Sequence, residues 1–178
     1  MLTNFIILIN VLIYIFMLFY DDEFYVLLGL NILFFKANFF WQVLSTMFVH
    51  GNFMHLFVNM VVLFQFGRIL EKFLGSLKFC FLYFVGGLLC SFLSAFYVLF
   101  DYNFSLQSTN LIGASGAICV LIGAFAAIDK ESLKGLIIAV LLMSFAPLLM
   151  GINVAWYGHI FGFVCGYLLA KFYIKGKR

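Results

Sequence analysis

Residues 154–174 read VAWYGHIFGFVCGYLLAKFYI, a run of twenty-one in which the only charged side chain, Lys171, stands near the end. A helix of about 20 apolar residues crosses the roughly 30 Å hydrocarbon core of a bilayer. Gly158, Gly162 and Gly166 recur every fourth position. On a helix that spacing makes one face without side chains, where a second helix approaches closely. His159 sits beside that face. An imidazole inside a span is expensive, so it needs a reason.

The rest of the chain has the same character. Of 178 residues, 66% are hydrophobic, 10 are basic and 7 acidic, and there is one proline. Soluble domains carry about 25% charged residues. A globule this small has too little interior for so much apolar surface. This excludes a soluble enzyme, a disordered chain and, with a net charge of only +3, a nucleic-acid partner. The composition predicts an all-α polytopic membrane protein, with the lipid bilayer as its solvent. Six spans are expected, at about 4–20, 53–70, 78–100, 113–128, 135–150 and 154–174, forming one domain over 1–178. The acidic Asp21, Asp22 and Glu23 follow the first run in place of a cleavage site, so that run reads as a retained span. Residues 21–51 read as a long aromatic-rich connection lying on the bilayer surface, and Asp101–Asn110 as a polar loop. Gly67, Arg68, Glu71, Lys72 and Gly75 read as the end of the second span and a short turn.

Orientation follows from the basic residues. With six spans, nine of the ten fall on one side and only Lys36 on the other. Both termini are therefore expected in the cytoplasm, and the 21–51 connection outside. Cys80, Cys90, Cys119 and Cys165 lie in apolar runs without metal-ligand spacing. They read as small hydrophobes, and no metal or cofactor is expected.

Polar groups inside the spans form a constellation. His55 and Asn59 are four residues apart, on one face of the second span. The fourth span opens with Gly113-Ala114-Ser115-Gly116 and continues with small residues, which makes it the natural partner for the glycine face of the sixth. Close approach of the two would bring Ser115 to His159. A serine hydroxyl is a weak nucleophile until a base takes its proton, and neutral imidazole suits that task. Ser115 at a helix start also has free backbone N–H groups near it. With His55 and Asn59 as further donors, these are the parts of an oxyanion hole. No Asp or Glu lies within a span, so the expected arrangement is a Ser115–His159 dyad.

These residues carry a resemblance to a known family. The motifs are His55-Leu-Phe-Val-Asn59, Gly67-Arg-Ile-Leu-Glu71 with Gly75, Gly113-Ala-Ser115-Gly116 and His159-Ile-Phe-Gly162-Phe-Val-Cys-Gly166, preceded by Trp41-Gln-Val-Leu-Ser-Thr46-Met-Phe48-Val-His50. In this order the sequence resembles the rhomboid intramembrane serine proteases over nearly its whole length. The resemblance implies a six-helix bundle, Ser115 as nucleophile and His159 as general base. It also implies His55, Asn59 and the Ser115 amide as oxyanion donors, Gly113, Gly116, Gly158, Gly162 and Gly166 as packing residues around the site, and transmembrane proteins as substrates. Arg68 and Glu71 would tie the cytoplasmic turn, and His50 would order a loop. The short form, without an added soluble domain, points to a bacterial inner membrane. The alternative is a non-proteolytic rhomboid-like protein that binds membrane helices. Three positions depart from the family pattern: Gln42 stands where Arg often follows Trp, Gly158 where Ala often precedes the base, and Cys119 where some members place an aromatic under the imidazole.

Overall fold

The computed structural model describes residues 1–20, 22–106 and 109–174. The basic residues Lys175, Lys177 and Arg178, which the orientation argument counts, lie outside the described residues. The chain is all-α: the described residues contain no strand, only an isolated antiparallel bridge between Leu30 and Leu111. In chain order the helices are α1 (Leu2–Met17), α2 (Asp22–Leu28), α3 (Leu33–Lys36), α4 (Gln42–Ser45), α5 (Phe53–Leu74), α6 (Ser76–Phe81), α7 (Gly87–Ser105), α8 (Ser115–Ile128), α9 (Leu133–Leu149) and α10 (Trp156–Leu169). A π-helical turn, Leu82–Gly86, joins α6 and α7 into one rod, and another, Ala170–Ile174, prolongs α10. Two helices, Phe53–Leu74 and the rod Ser76–Ser105, are long and apolar enough to cross a membrane; Leu2–Met17, Ser115–Ile128 and Leu133–Leu149 are apolar and shorter.

Two boundaries differ from the sequence expectation. Gly67 does not end α5, because it is a contact point: a Cβ there would stand 2.7 Å from Thr3 Cγ2 of α1. Arg68, Glu71 and Lys72 are therefore helical, and the helix stops at Gly75, whose φ of +82° favours glycine. The polar segment after residue 100 is helical through Ser105 and ends at Leu106, left-handed at φ +56°. The connection between α1 and α5 holds α2, α3, α4 and a 3-10 turn, Thr46–Phe48.

Buried amides knit that connection. The Gln42 side chain is fully buried; it accepts the Asn31 N–H at 3.2 Å and donates to the carbonyls of Val26 at 3.1 Å and Leu27 at 3.3 Å. Asn31 Nδ2 donates to Val26 O at 2.6 Å and to Asn110 Oδ1 at 3.0 Å, while Asn110 Nδ2 donates to Tyr25 O at 2.7 Å. A neutral glutamine thus satisfies these carbonyls without bringing a charge into the fold.

α8 is the central element. Ten of its residues, among them Ala117, Gly123, Ala124 and Ala127, are buried, so it is enclosed on every side. It shares its largest interface with α10 and also meets α5, α7 and α9. The small residues are the cause: they let the neighbours pack within backbone distance. At the far end of α8, the Ser132 hydroxyl donates to Asp129 at 2.6 Å and holds that carboxyl below its ordinary range. The N-terminus of α1 is tied to the end of α5. Glu71 accepts the Leu2 N–H at 2.7 Å, the Thr3 N–H at 2.9 Å, the Thr3 hydroxyl at 2.7 Å and the Ser76 hydroxyl at 2.8 Å. Arg68 lies over the Phe64 ring, 4.8 Å from its centroid.

Candidate active site

The interface between α8 and α10 decides where the polar groups meet. A Cβ on Gly162 would collide with the Gly116 carbonyl, one on Gly166 with the Val120 carbonyl, and one on Gly123 with the Phe163 carbonyl. Only hydrogen atoms fit at these three crossings, so the two helices touch backbone to backbone. Gly158 is different: its nearest neighbours would be Leu111 Cδ1 at 3.4 Å and Ser94 Oγ at 3.8 Å, which is ordinary contact. Its carbonyl accepts the Cys90 thiol at 3.2 Å.

This close crossing sets His159 Nε2 3.0 Å from Ser115 Oγ. His159 is buried, while Ser115 is half-buried at the first turn of α8. Ala114 supplies no side-chain cap, so the leading N–H groups of α8 are not consumed by one. The approach to Ser115 is held rigidly. The Thr46 hydroxyl donates to Leu111 O at 2.6 Å, and Gly113 N–H donates to Thr46 O at 2.9 Å. The buried His50 lies with Nε2 3.4 Å from the Ala114 N–H, which it accepts, and with Nδ1 3.3 Å from the Phe48 carbonyl. His50 thus orders the loop, as the resemblance implies.

His55 sits across from Ser115. Its ring packs on Gly113, where a Cβ would come within 2.7 Å of Nε2, and edge-on to His50 with centroids 5.1 Å apart. Gly113 also has φ +119°, so glycine is required there twice over. The His55 N–H donates to Asn52 Oδ1 at 2.8 Å, which caps α5. Asn59 is buried one turn on, and its amide donates to the His55 carbonyl at 2.9 Å. A cavity of about 20 Å³ borders Ser115, lined by Met47, Ser91, Ser94, Gly113 and Gly158. That is room for one water.

One residue of the site escaped sequence reasoning. With Cys119 where an aromatic would support the imidazole, the sequence names no partner for His159. The structure supplies Ser144 of α9, fully buried, with Oγ 3.2 Å from His159 Nδ1. The available signal was that Ser144 is the lone hydroxyl between residues 135 and 150.

Comparison with known proteins bears on the family. The family model described as Rhomboid domain matches residues 37–176. The chain is 30% identical over 138 residues to RHOMBOID-like protein 4 of Arabidopsis thaliana, covering 72% of this chain and 33% of that protein. It is 27% identical over 145 residues to the rhomboid-family protein YdcA of Bacillus subtilis, covering 78% of this chain and 69% of that one. It is 30% identical over 139 residues to Rhomboid-like protease 1 of Toxoplasma gondii, covering 76% and 47%. The chain thus spans about a third of the Arabidopsis relative and about half of the Toxoplasma one. A family match over more than half of its length places it: this chain belongs to the rhomboid family, whose members are embedded in membranes.

Proposed function

We propose that the chain is an intramembrane serine protease that hydrolyses peptide bonds in or near the transmembrane segments of other proteins. The observation that carries the reading is the 3.0 Å approach of Ser115 Oγ to His159 Nε2 at the uncapped start of a buried helix. His159 accepts the hydroxyl proton as Ser115 Oγ bonds to the scissile carbonyl carbon. The negative charge that forms on the carbonyl oxygen is received by the Ser115 N–H, His55 and Asn59. Collapse expels the amine, which takes the proton from His159. A water then gives its proton to the same nitrogen and attacks the acyl-serine, and Ser115 leaves with that proton restored. The small cavity beside Ser115 offers such a water a place.

The length of α8 supports chemistry at depth. Its 14 residues span about 21 Å, less than the roughly 30 Å hydrocarbon core. The far end of α8 runs into the charged turn Asp129–Lys134, so Ser115 would stand below the opposite surface, under the 21–51 connection. In this reading six helices cross the membrane, both termini face the cytoplasm, and the setting is a bacterial inner membrane. Substrates are transmembrane proteins; proteolysis is also what the name of the Toxoplasma relative, Rhomboid-like protease 1, states for that protein.

The test is Ser115→Ala, assayed in detergent on a reporter with one transmembrane helix, together with labelling of the wild-type chain by a fluorophosphonate. Cleavage that disappears in the variant, and a label that the wild type takes and the variant does not, are expected. Undiminished cleavage by Ser115→Ala sinks the reading.

A further inference from the structure

We propose that Ser144 is a positioning residue for His159: it holds the imidazole in the one tautomer that leaves Nε2 bare toward Ser115. The proposal deepens the reading of Ser115 and His159 given above and rests on it. Its ground is a count of hydrogens. Ser144 Oγ lies 2.6 Å from the Val140 carbonyl and 3.2 Å from His159 Nδ1. A hydroxyl has one hydrogen, and a carbonyl has none. The shorter contact therefore takes the Ser144 hydrogen, and what Ser144 turns to His159 is a lone pair. Nδ1 must then carry the N–H. A neutral imidazole has only one, so Nε2 is left as an acceptor, facing the Ser115 hydroxyl at 3.0 Å.

The result is a directed chain: Ser115 O–H to Nε2, Nδ1–H to Ser144, Ser144 O–H to Val140 O. Each bond polarises the next, so an oxygen that is already donating accepts more strongly. When Nε2 takes the Ser115 proton, the new positive charge finds an oxygen already placed at Nδ1. Where a triad uses a carboxylate for this orientation, this chain has a serine whose direction is fixed by its own helix. Val140 and Ser144 are the buried residues of α9 and lie one turn apart, on one face of that helix. Full burial of Ser144 keeps water from taking its place.

The experiment combines nitrogen NMR and kinetics. The full chain is labelled with 15N-histidine in detergent, and the His159 signals are assigned with His50→Gln and His55→Gln. Wild type is expected to show a protonated Nδ1 and an unprotonated Nε2. In Ser144→Ala the Nε2–H form should appear, and kcat should fall about tenfold or more, as for other groups that orient a functional imidazole, with KM unchanged. Ser144→Thr keeps a hydroxyl that can bond the same carbonyl and should restore both the tautomer and kcat. An unchanged tautomer in Ser144→Ala overturns the proposal, as does a loss of kcat that threonine does not restore. The nitrogen signals need no turnover. A wild-type chain that cleaves nothing therefore sinks the proteolytic reading, while the effect of Ser144→Ala on the tautomer still decides this one.

Discussion

At the scale of single residues, Gly113 links backbone to chemistry. Its φ of +119° is disfavoured for any side chain, and its missing Cβ is where the His55 ring rests. Gly113→Ala should therefore strain the turn by about 1–2 kcal/mol and displace His55 as well. The expected outcome is a lower melting temperature in detergent with a larger loss of turnover than the stability change explains, measured by thermal unfolding and reporter cleavage on one preparation. The residues around this point were legible because lipid makes them conspicuous: His55, Asn59 and His159 stand out from their apolar runs. Ser144 was not legible in that way. A membrane-helix serine ordinarily bonds to its own backbone, and Ser144 does so. That a lone pair of the same oxygen meets an imidazole depends on which helix lies opposite, which periodicity along one helix does not encode.

At the scale of elements, glycines with the same spacing have unequal tasks. Gly166 has no room for a methyl group, since the Val120 carbonyl occupies the place, whereas Gly158 has ordinary contact distances around it. Gly166→Ala must push α10 off α8. It is expected to lower the melting temperature markedly, on the order of the 1–3 kcal/mol that overpacking costs, and to reduce cleavage by widening the Ser115–His159 gap. Gly158→Ala should leave both measurements near wild type. Equal losses in the two variants would refute this division. The sequence spacing showed that one helix face was bare, but not which glycines were in tightest contact. Gly67 carries the same lesson: a glycine near a charged cluster read as a terminator, yet it is the seat of Thr3, and α5 runs on to Gly75.

At the scale of the whole molecule, Glu71 ties the start of α1 to the corner between α5 and α6. Its two oxygens receive donors from α1 and α6, two of them rigid backbone N–H groups, Leu2 on Oε1 and Thr3 on Oε2. Glu71→Gln keeps the shape, but its NH₂ must confront one of those N–H groups in either orientation. A loss of about 1–3 kcal/mol, the cost of a buried group left unsatisfied, is expected as a lower melting temperature, with the Ser115–His159 chemistry itself unaltered in KM. A variant as stable as wild type would show that α1 is held by its apolar face alone. The all-α class was legible in the composition, because so apolar a chain has few ways to satisfy its backbone in lipid. The internal order of the 21–51 connection was not, since it depends on amides such as Gln42 and Asn110 that lie far apart in sequence.

The attachment of α9 has a consequence for traffic through the molecule. Its buried contacts are Val140 and Ser144, whereas α8 is gripped along most of its length. Leu136 and Met143 add only partly buried contacts, so α9 is fastened like a plank with few nails, and of the two helices it is the one that would part at the lower cost. Were the plank to swing, Ser144 would leave with it: the imidazole would lose its guide while the door stood open and regain it only on closing. If Ser115 and His159 act as proposed, such a chain would cut behind a shut door and stay disarmed while ajar.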